Sequence, residues 1–336
     1  MLPTKQSIKE DDPERVSWSD FHFNLLDEKK KREYLNLTKC LSNGSLVVRV
    51  YGIKTMPEMV DLINAVRLDH PELCNLQVTS VRWFNDVFCT SELSMKRTYS
   101  EQMFEEKMSD ICKVVEHIRD ETEGMPDIEK EIYIHDYLCS TVVYDNKEPD
   151  QFTIIGPLTK GKGTCTGISS AATYLLNSVG IWSGTLTGNI PGSRFGHAWN
   201  VVSIEGHRYH LDVTMDIIGK DSFSHNYLNM SDKMISKDGK HNWKESYFST
   251  SETMHNYHRM KGLYAENIEE MIDIMDKNAI EKGAVEIMVS PQLNESISEE
   301  DLIRAYTYAL RKKGLYCTFR FFFNEKSGCC IFETYA

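Results

Sequence analysis

Apolar residues change their spacing several times along the chain, and each change marks an element. Residues 22–42 carry apolar positions at helical intervals around a basic, solvated middle, and Asn43-Gly44 is a turn signal. Residues 45–53 (SLVVRVYGI) alternate and predict a strand. Residues 56–66 return to helical spacing, with Pro57 suited to a first turn. Residues 76–87 and 93–99 are expected strands separated by a Thr-Ser turn. Residues 100–122 place Met103, Met108, Ile111, Val114, Val115 and Ile118 on one helical stripe, best read as core-facing. Gly124-Met125-Pro126 breaks that helix, and Asp127 is expected to cap the next, 128–140. A helix over 165–178 stops at Gly180. Strands are expected at 181–187, 197–204 and 208–213, the last two joined by a Glu205-Gly206 hairpin turn. Beyond Asp216 the chain turns polar, as a surface loop with a short helix would. From Asn267 the order is helix, strand, helix, two strands, and Ser298 with Asp301 forms a capping box. The fold class is α+β. The divisions are a loose N-terminus (1–21), an N-terminal α/β lobe (22–99), a core (100–260) and a C-terminal α/β lobe (261–336).

Composition narrows this picture only slightly. Hydrophobic residues make up 41% and charged residues 26% of 336 positions, ordinary for a soluble globular chain. A net charge of −12 argues against a nucleic-acid partner, which needs a concentrated basic surface. The first residues lack an apolar leader segment, and no apolar run reaches membrane-spanning length. The nine cysteines are odd in number and irregularly spaced, which favours reduced thiols and a cytoplasmic location. Cys112 and Cys139 are read as small buried residues, and the adjacent Cys329-Cys330 pair has no partner at zinc-ligand spacing. Neither a metal nor a cofactor is expected. No stretch matches a calcium-binding loop of the EF-hand type.

Candidate chemistry concentrates between Gly161 and Asp216. Cys165 sits at an expected helix start, after Gly161 and Gly163. A helix N-terminus and a neighbouring imidazolium both lower a thiol's pKa, and the thiolate is the nucleophile. Small residues there let a substrate backbone approach. His197 can serve as base and then acid, and Asp212 can hold its tautomer. The expected hairpin can set His197 and Asp212 side by side. Each residue alone has a plainer reading: a structural cysteine, a satisfied histidine, a turn-bonding aspartate. Together they favour catalysis. His210 should share a face with Asp212 if the strand is regular, though a packed histidine is the simpler reading. His225, His241, His255 and His258 lie in polar sequence, where exposure is the default; His135 should sit at the core edge.

These segments resemble the transglutaminase-like superfamily, in particular its bacterial cysteine-peptidase branch. The matching pieces are LTKGKGTCTGISSAATYLLNSVGI, TGNIPGSRFGHAWNVVSIEGHRYHLDVTMD and YLNMSDKMISKDGKHNW, with IHDYLCSTVVYDN upstream. The resemblance implies a papain/transglutaminase-like core, a nucleophile helix packed on an antiparallel sheet, flanked by small α/β lobes. It implies acyl-enzyme chemistry on a peptide or amide bond, carried by Cys165, His197 and Asp212. Met215 stands where such proteins often have tryptophan. The amide of Cys165 is one expected oxyanion donor. Thr159 occupies the position of the papain-like glutamine, which leaves Gln151 and Tyr144 as upstream candidates. Gly163 and Trp199 complete the expected substrate and shielding residues. Hydrolysis of a peptide or protein substrate is the first functional expectation. Transfer to an amine, as in a transglutaminase, and a non-catalytic binding module are the alternatives. Oligomeric state is not read from the sequence.

Overall fold

The computed structural model describes residues 19–192, 196–219 and 222–335. The segment before residue 19, expected to be loose, lies outside them. The fold is α+β, with helices packed on several mainly antiparallel sheets. At its centre runs helix Cys165–Ser178, in which every residue from Gly167 onward is buried. The antiparallel sheet of Ser183–Asn189, Gly196–Ile204 and His207–Leu211 packs against it, as do helices Glu101–Glu121, Asp127–Thr141 and Ile155–Lys160. Ala171 and Ala172 let neighbours close in, and Ile168, Leu175 and Leu176 fill the core with Ile111, Leu138 and Leu211. An enclosed helix must satisfy its polar side chains internally. Asn200 Nδ2 therefore donates to Ser169 O at 2.9 Å and Thr173 Oγ1 at 2.8 Å, bolting the middle strand to the helix.

The first α/β lobe pairs strand Thr90–Arg97 between Val47–Tyr51 and Leu76–Trp83, all antiparallel. Helices Glu28–Ser42 and Met56–Asp69 supply Tyr34, Leu37, Met59 and Leu62 to its own apolar cluster. The expected Thr-Ser turn is displaced: Thr90 and Ser91 open the strand, and the reversal lies before them. Asp86 Oδ1 accepts the amides of Phe88 and Thr90 at 3.0 Å each, and Cys89 takes φ 49°. That aspartate turn competes successfully with strand extension.

The last lobe has strand order Tyr264–Ala265, Gly283–Val289, Cys329–Tyr335, Thr318–Asn324. One sheet face packs Ile287, Cys330 and Phe332 under helices Ile268–Asn278 and Glu299–Lys312. The opposite face carries Glu286, whose carboxylate accepts the His225 amide from the central region at 2.9 Å. The Ser298–Asp301 capping box forms as expected.

Three readings need correction. Met103 is 50% exposed, because only Ile111, Val115 and Ile118 are buried on their helix. Cys112 is exposed, one position off that stripe. The polar segment after Asp216 is not simply surface: Asn229, Ser231, Asp238 and His241 are buried there. No helix among the described residues is long and apolar enough to cross a membrane.

Candidate active site

Cys165 is the first residue of its helix, as expected. Two positive-φ or crowded glycines shape the approach. Gly161, at φ 63°, ends helix Ile155–Lys160. Gly167 faces the Gln151 carbonyl so closely that a Cβ would lie 2.3 Å from its oxygen. Gln151 O also accepts the Thr164 amide at 3.0 Å and the Thr164 hydroxyl at 3.1 Å. Thr164 would ordinarily cap the helix with that hydroxyl; here no side chain caps it. The first amides of a helix have no intrahelical acceptor, so this end presents donors and the positive dipole beside the thiol.

His197 lies on the middle strand opposite Gly188 and is buried. Its Nε2 is 2.5 Å from Asp212 Oδ2. The Cys165 thiol meets the same ring and the Ala198 amide. Burial opposes charge on His197, but Asp212 outweighs it and pushes the pKa up to about 10. Burial likewise opposes a thiolate, yet His197 and the Ala198 amide bring Cys165 below its usual range. Asp212 is buried too, and His197 and His241 hold its carboxyl well below the ordinary value.

The expected strand placement of Asp212 needs correction. Strand His207–Leu211 ends one residue earlier, and Asp212 caps the short helix Val213–Asp216. The register pairs Asn200 with Leu211, so continuing the ladder would set residue 212 against Trp199 rather than His197. Aspartate is a strong N-cap, and Oδ1 takes the Met215 amide at 3.0 Å, which turns the chain out of the sheet. The turn, not the pairing, brings the carboxylate to His197.

Other expected residues fall in different places. Trp199 is buried and stacks on His197, centroids 5.7 Å apart. Its Nε1–H donates to His210 Nδ1 at 3.0 Å, and His210 Nε2 faces Asp232 Oδ1 at 2.9 Å. His210 is thus the packed histidine of the plainer reading. Tyr144 pairs with Gly163 across two short strands and lies close enough to Cys165 for the thiol's charge to raise its pKa, after burial. Gly163 is buried, and a Cβ there would meet Pro157. Gln151 contributes its carbonyl to the turn before Cys165. A cavity of about 720 Å³ opens between the first lobe and the core, and its lining reaches Thr166, Phe152 and Thr187.

His241 was expected to be exposed and is 3% exposed instead. Its Nε2 lies 2.8 Å from Asp212 Oδ2, the oxygen that also engages His197. His255 and His258 are buried as well, and His225 is half-buried. Each finds carboxylate or tyrosine partners that sequence alone does not place. His135, expected at the core edge, is fully buried. The only forward signal for His241 is its place in the downstream resembling segment. Among the described residues, three clusters bring potential ion-holding atoms within 4.8 Å of one another: His135–Asp136–His225, His197–Asp212–His241 and His258–Glu286–Cys329. In each, hydrogen bonds among the same side chains account for the spacing.

Residues 114–216 match the model of the transglutaminase-like superfamily. No curated protein matches. Similar solved structures include a TGase, at 15% identity and TM-score 0.31, over 60% of this chain and 56% of that one. A proposed cysteine protease from Cytophaga hutchinsonii shares 14% identity, TM-score 0.27, over 41% of this chain and 64% of that one. The chain therefore spans less than two thirds of either neighbour. Over residues 114–216, this chain carries a transglutaminase-like domain.

Proposed function

We propose that the protein is a cysteine-nucleophile hydrolase of a peptide or amide bond. One observation carries the reading: a thiol at an uncapped helix start meets a histidine whose Nε2 is held by a buried carboxylate. Cys165, His197 and Asp212 take the roles of nucleophile, acid–base and orienting carboxylate. The Cys165 sulfur attacks the acyl carbon, and the carbonyl π electrons move to oxygen. The Cys165 amide stabilises that oxyanion, with the Tyr144 hydroxyl or the Gln151 amide as second donor. His197 passes its proton to the departing nitrogen as the C–N bond breaks, leaving a thioester. Water then attacks the thioester carbon, His197 takes its proton, and the C–S bond breaks to release the acid. The cavity reaching Thr166 lies where a peptide could extend toward the first lobe.

An activity-probe screen with peptides and glutamine donors tests this reading. Cys165→Ala should abolish turnover while leaving the thermal transition in place; turnover by that variant rejects the mechanism. Mass analysis of the acyl product formed with and without an added amine identifies the group that resolves the thioester. Incorporation of the amine would establish transglutaminase chemistry in place of hydrolysis.

A further inference from the structure

We propose that His241, fixed by Asp238, is a positioning residue that holds Asp212 and tempers the basicity of His197. The inference rests on the catalytic reading above and adds a second histidine to it. His241 Nε2 lies 2.8 Å from Asp212 Oδ2. Its Nδ1 lies 3.1 Å from Asp238 Oδ1 and 3.0 Å from Oδ2. Ionised carboxylates only accept hydrogen bonds, so a ring between two of them carries a proton on each nitrogen. His241 is then a cation. The side chains form a file of alternating charge: Asp238 negative, His241 positive, Asp212 negative, His197 positive, Cys165 negative.

This arrangement has a chemical consequence. A single carboxylate oxygen serves both imidazoles, whose centroids are 5.1 Å apart. The second donor fixes the carboxylate's rotation, with Met215 N holding the other oxygen. The second cation also opposes the first across a buried, weakly screened space. Without it, Asp212 would bind the His197 proton more tightly, and the leaving nitrogen would receive that proton less readily. General acid catalysis works best when the acid's pKa lies near the working pH.

The groups facing this file are identifiable. Tyr227 packs near His241 and donates its hydroxyl to Asp238 Oδ2 at 2.9 Å. The Lys240 amide donates to Asp238 Oδ1, and Lys326 Nζ reaches the Asp238 carbonyl. His210 lies close enough for His241 to disfavour its protonation, and His210 in turn faces Asp232. Lys240 Nζ lies 3.9 Å from Met215 Sδ. Trp199 stands edge-on to His241, at 4.8 Å between centroids. Burial opposes charge on His241, but the bonds to Asp212 and Asp238 outweigh it and raise its pKa.

The test is the pH dependence of iodoacetamide alkylation at Cys165, followed by peptide mass spectrometry on the full chain. Wild-type Cys165 should react below pH 7, where an ordinary thiol is protonated. Asp238→Asn keeps the shape and removes the charge that holds the second proton on His241. The variant loses the Asp238 anion and the His241 cation together; the cation is the nearer to Asp212 and His197, so both limbs of the profile should move to higher pH, the His197 limb further. The rate just below the acid limb should fall about threefold. A uniform fall at every pH, with the limbs unmoved, would show a structural strut and overturn the proposal, as would an unchanged profile. Absence of low-pH reactivity in the wild type would instead overturn the catalytic reading. Nitrogen NMR of the wild-type imidazoles gives an independent check. His241 should carry protons on both nitrogens at pH 8, and a neutral ring there overturns the proposal regardless of how the variant folds.

Discussion

Two cysteine–histidine–aspartate contacts occur among the described residues, and their settings differ. At the first, His197 turns Nε2 to Asp212 and meets the Cys165 thiol, itself partly exposed at a helix start. At the second, His135 Nε2 lies 3.1 Å from Asp216 Oδ2 and 3.6 Å from Cys139 Sγ, while Nδ1 faces Asp136 at 2.8 Å. Both ring nitrogens there already face carboxylates, and the thiol shares Nε2 with Asp216. Burial also pushes the Cys139 thiol up, and the residue is 1% exposed. Three residue types in contact do not make a nucleophile. Cys165 differs in its access and in its place at a helix start.

The largest test of this contrast exchanges the cysteines. Cys165→Ala should eliminate turnover, whereas Cys139→Ala should leave it within about twofold and cost roughly 1 kcal/mol of stability. Loss of turnover in the second variant, with its fold intact, would break the contrast. The carboxylates come next. Asp212→Asn should slow neutral-pH alkylation of Cys165 by about 100-fold or more, because the amide no longer selects the tautomer. Asp216→Asn should leave that rate alone. Asp216 instead accepts from His135, the Ser224 hydroxyl and the Tyr227 amide in a fully buried site. Its loss should cost about 2–4 kcal/mol in urea denaturation.

A third test uses pH. His197 binds its proton more tightly folded than unfolded, so its stabilising contribution is present below about 6.5 and is lost as pH rises through about 10. Wild-type stability should therefore fall across that window more steeply than that of His197→Asn. Equal slopes would mean the imidazolium is not held. The smallest effect is expected at Trp199→Phe, which removes one hydrogen bond worth about 1 kcal/mol and keeps the apolar backing. Alkylation should slow by about two- to fivefold.

How far the sequence carries can be judged from particular residues. Cys165 was legible because a glycine-rich turn before a periodic run marks a helix start, and that signal is local. His197 was legible for the same reason on its strand. Asp212 was recognised, but its placement on the strand missed the cap that ends the strand one residue early. His241 was not legible. A histidine in a polar stretch looks solvated until folding sets carboxylates on both of its sides, and those come from Asp212 and Asp238. Cys112 shows the opposite error. Its neighbours Ile111, Val115 and Ile118 define the buried stripe, and Cys112 lies a hundred degrees around the helix from Ile111.

The close approach of the Gln151 carbonyl to Gly167 sets the limits on redesigning this protein. The turn before Cys165 is braced by main chain, since Thr164 and Gly167 both meet a carbonyl oxygen rather than a side chain. Any residue can supply that oxygen, but only glycine can receive it. A library varying Phe152, which lines the cavity, would therefore leave that brace in place. A single methyl group at position 167 would unseat it.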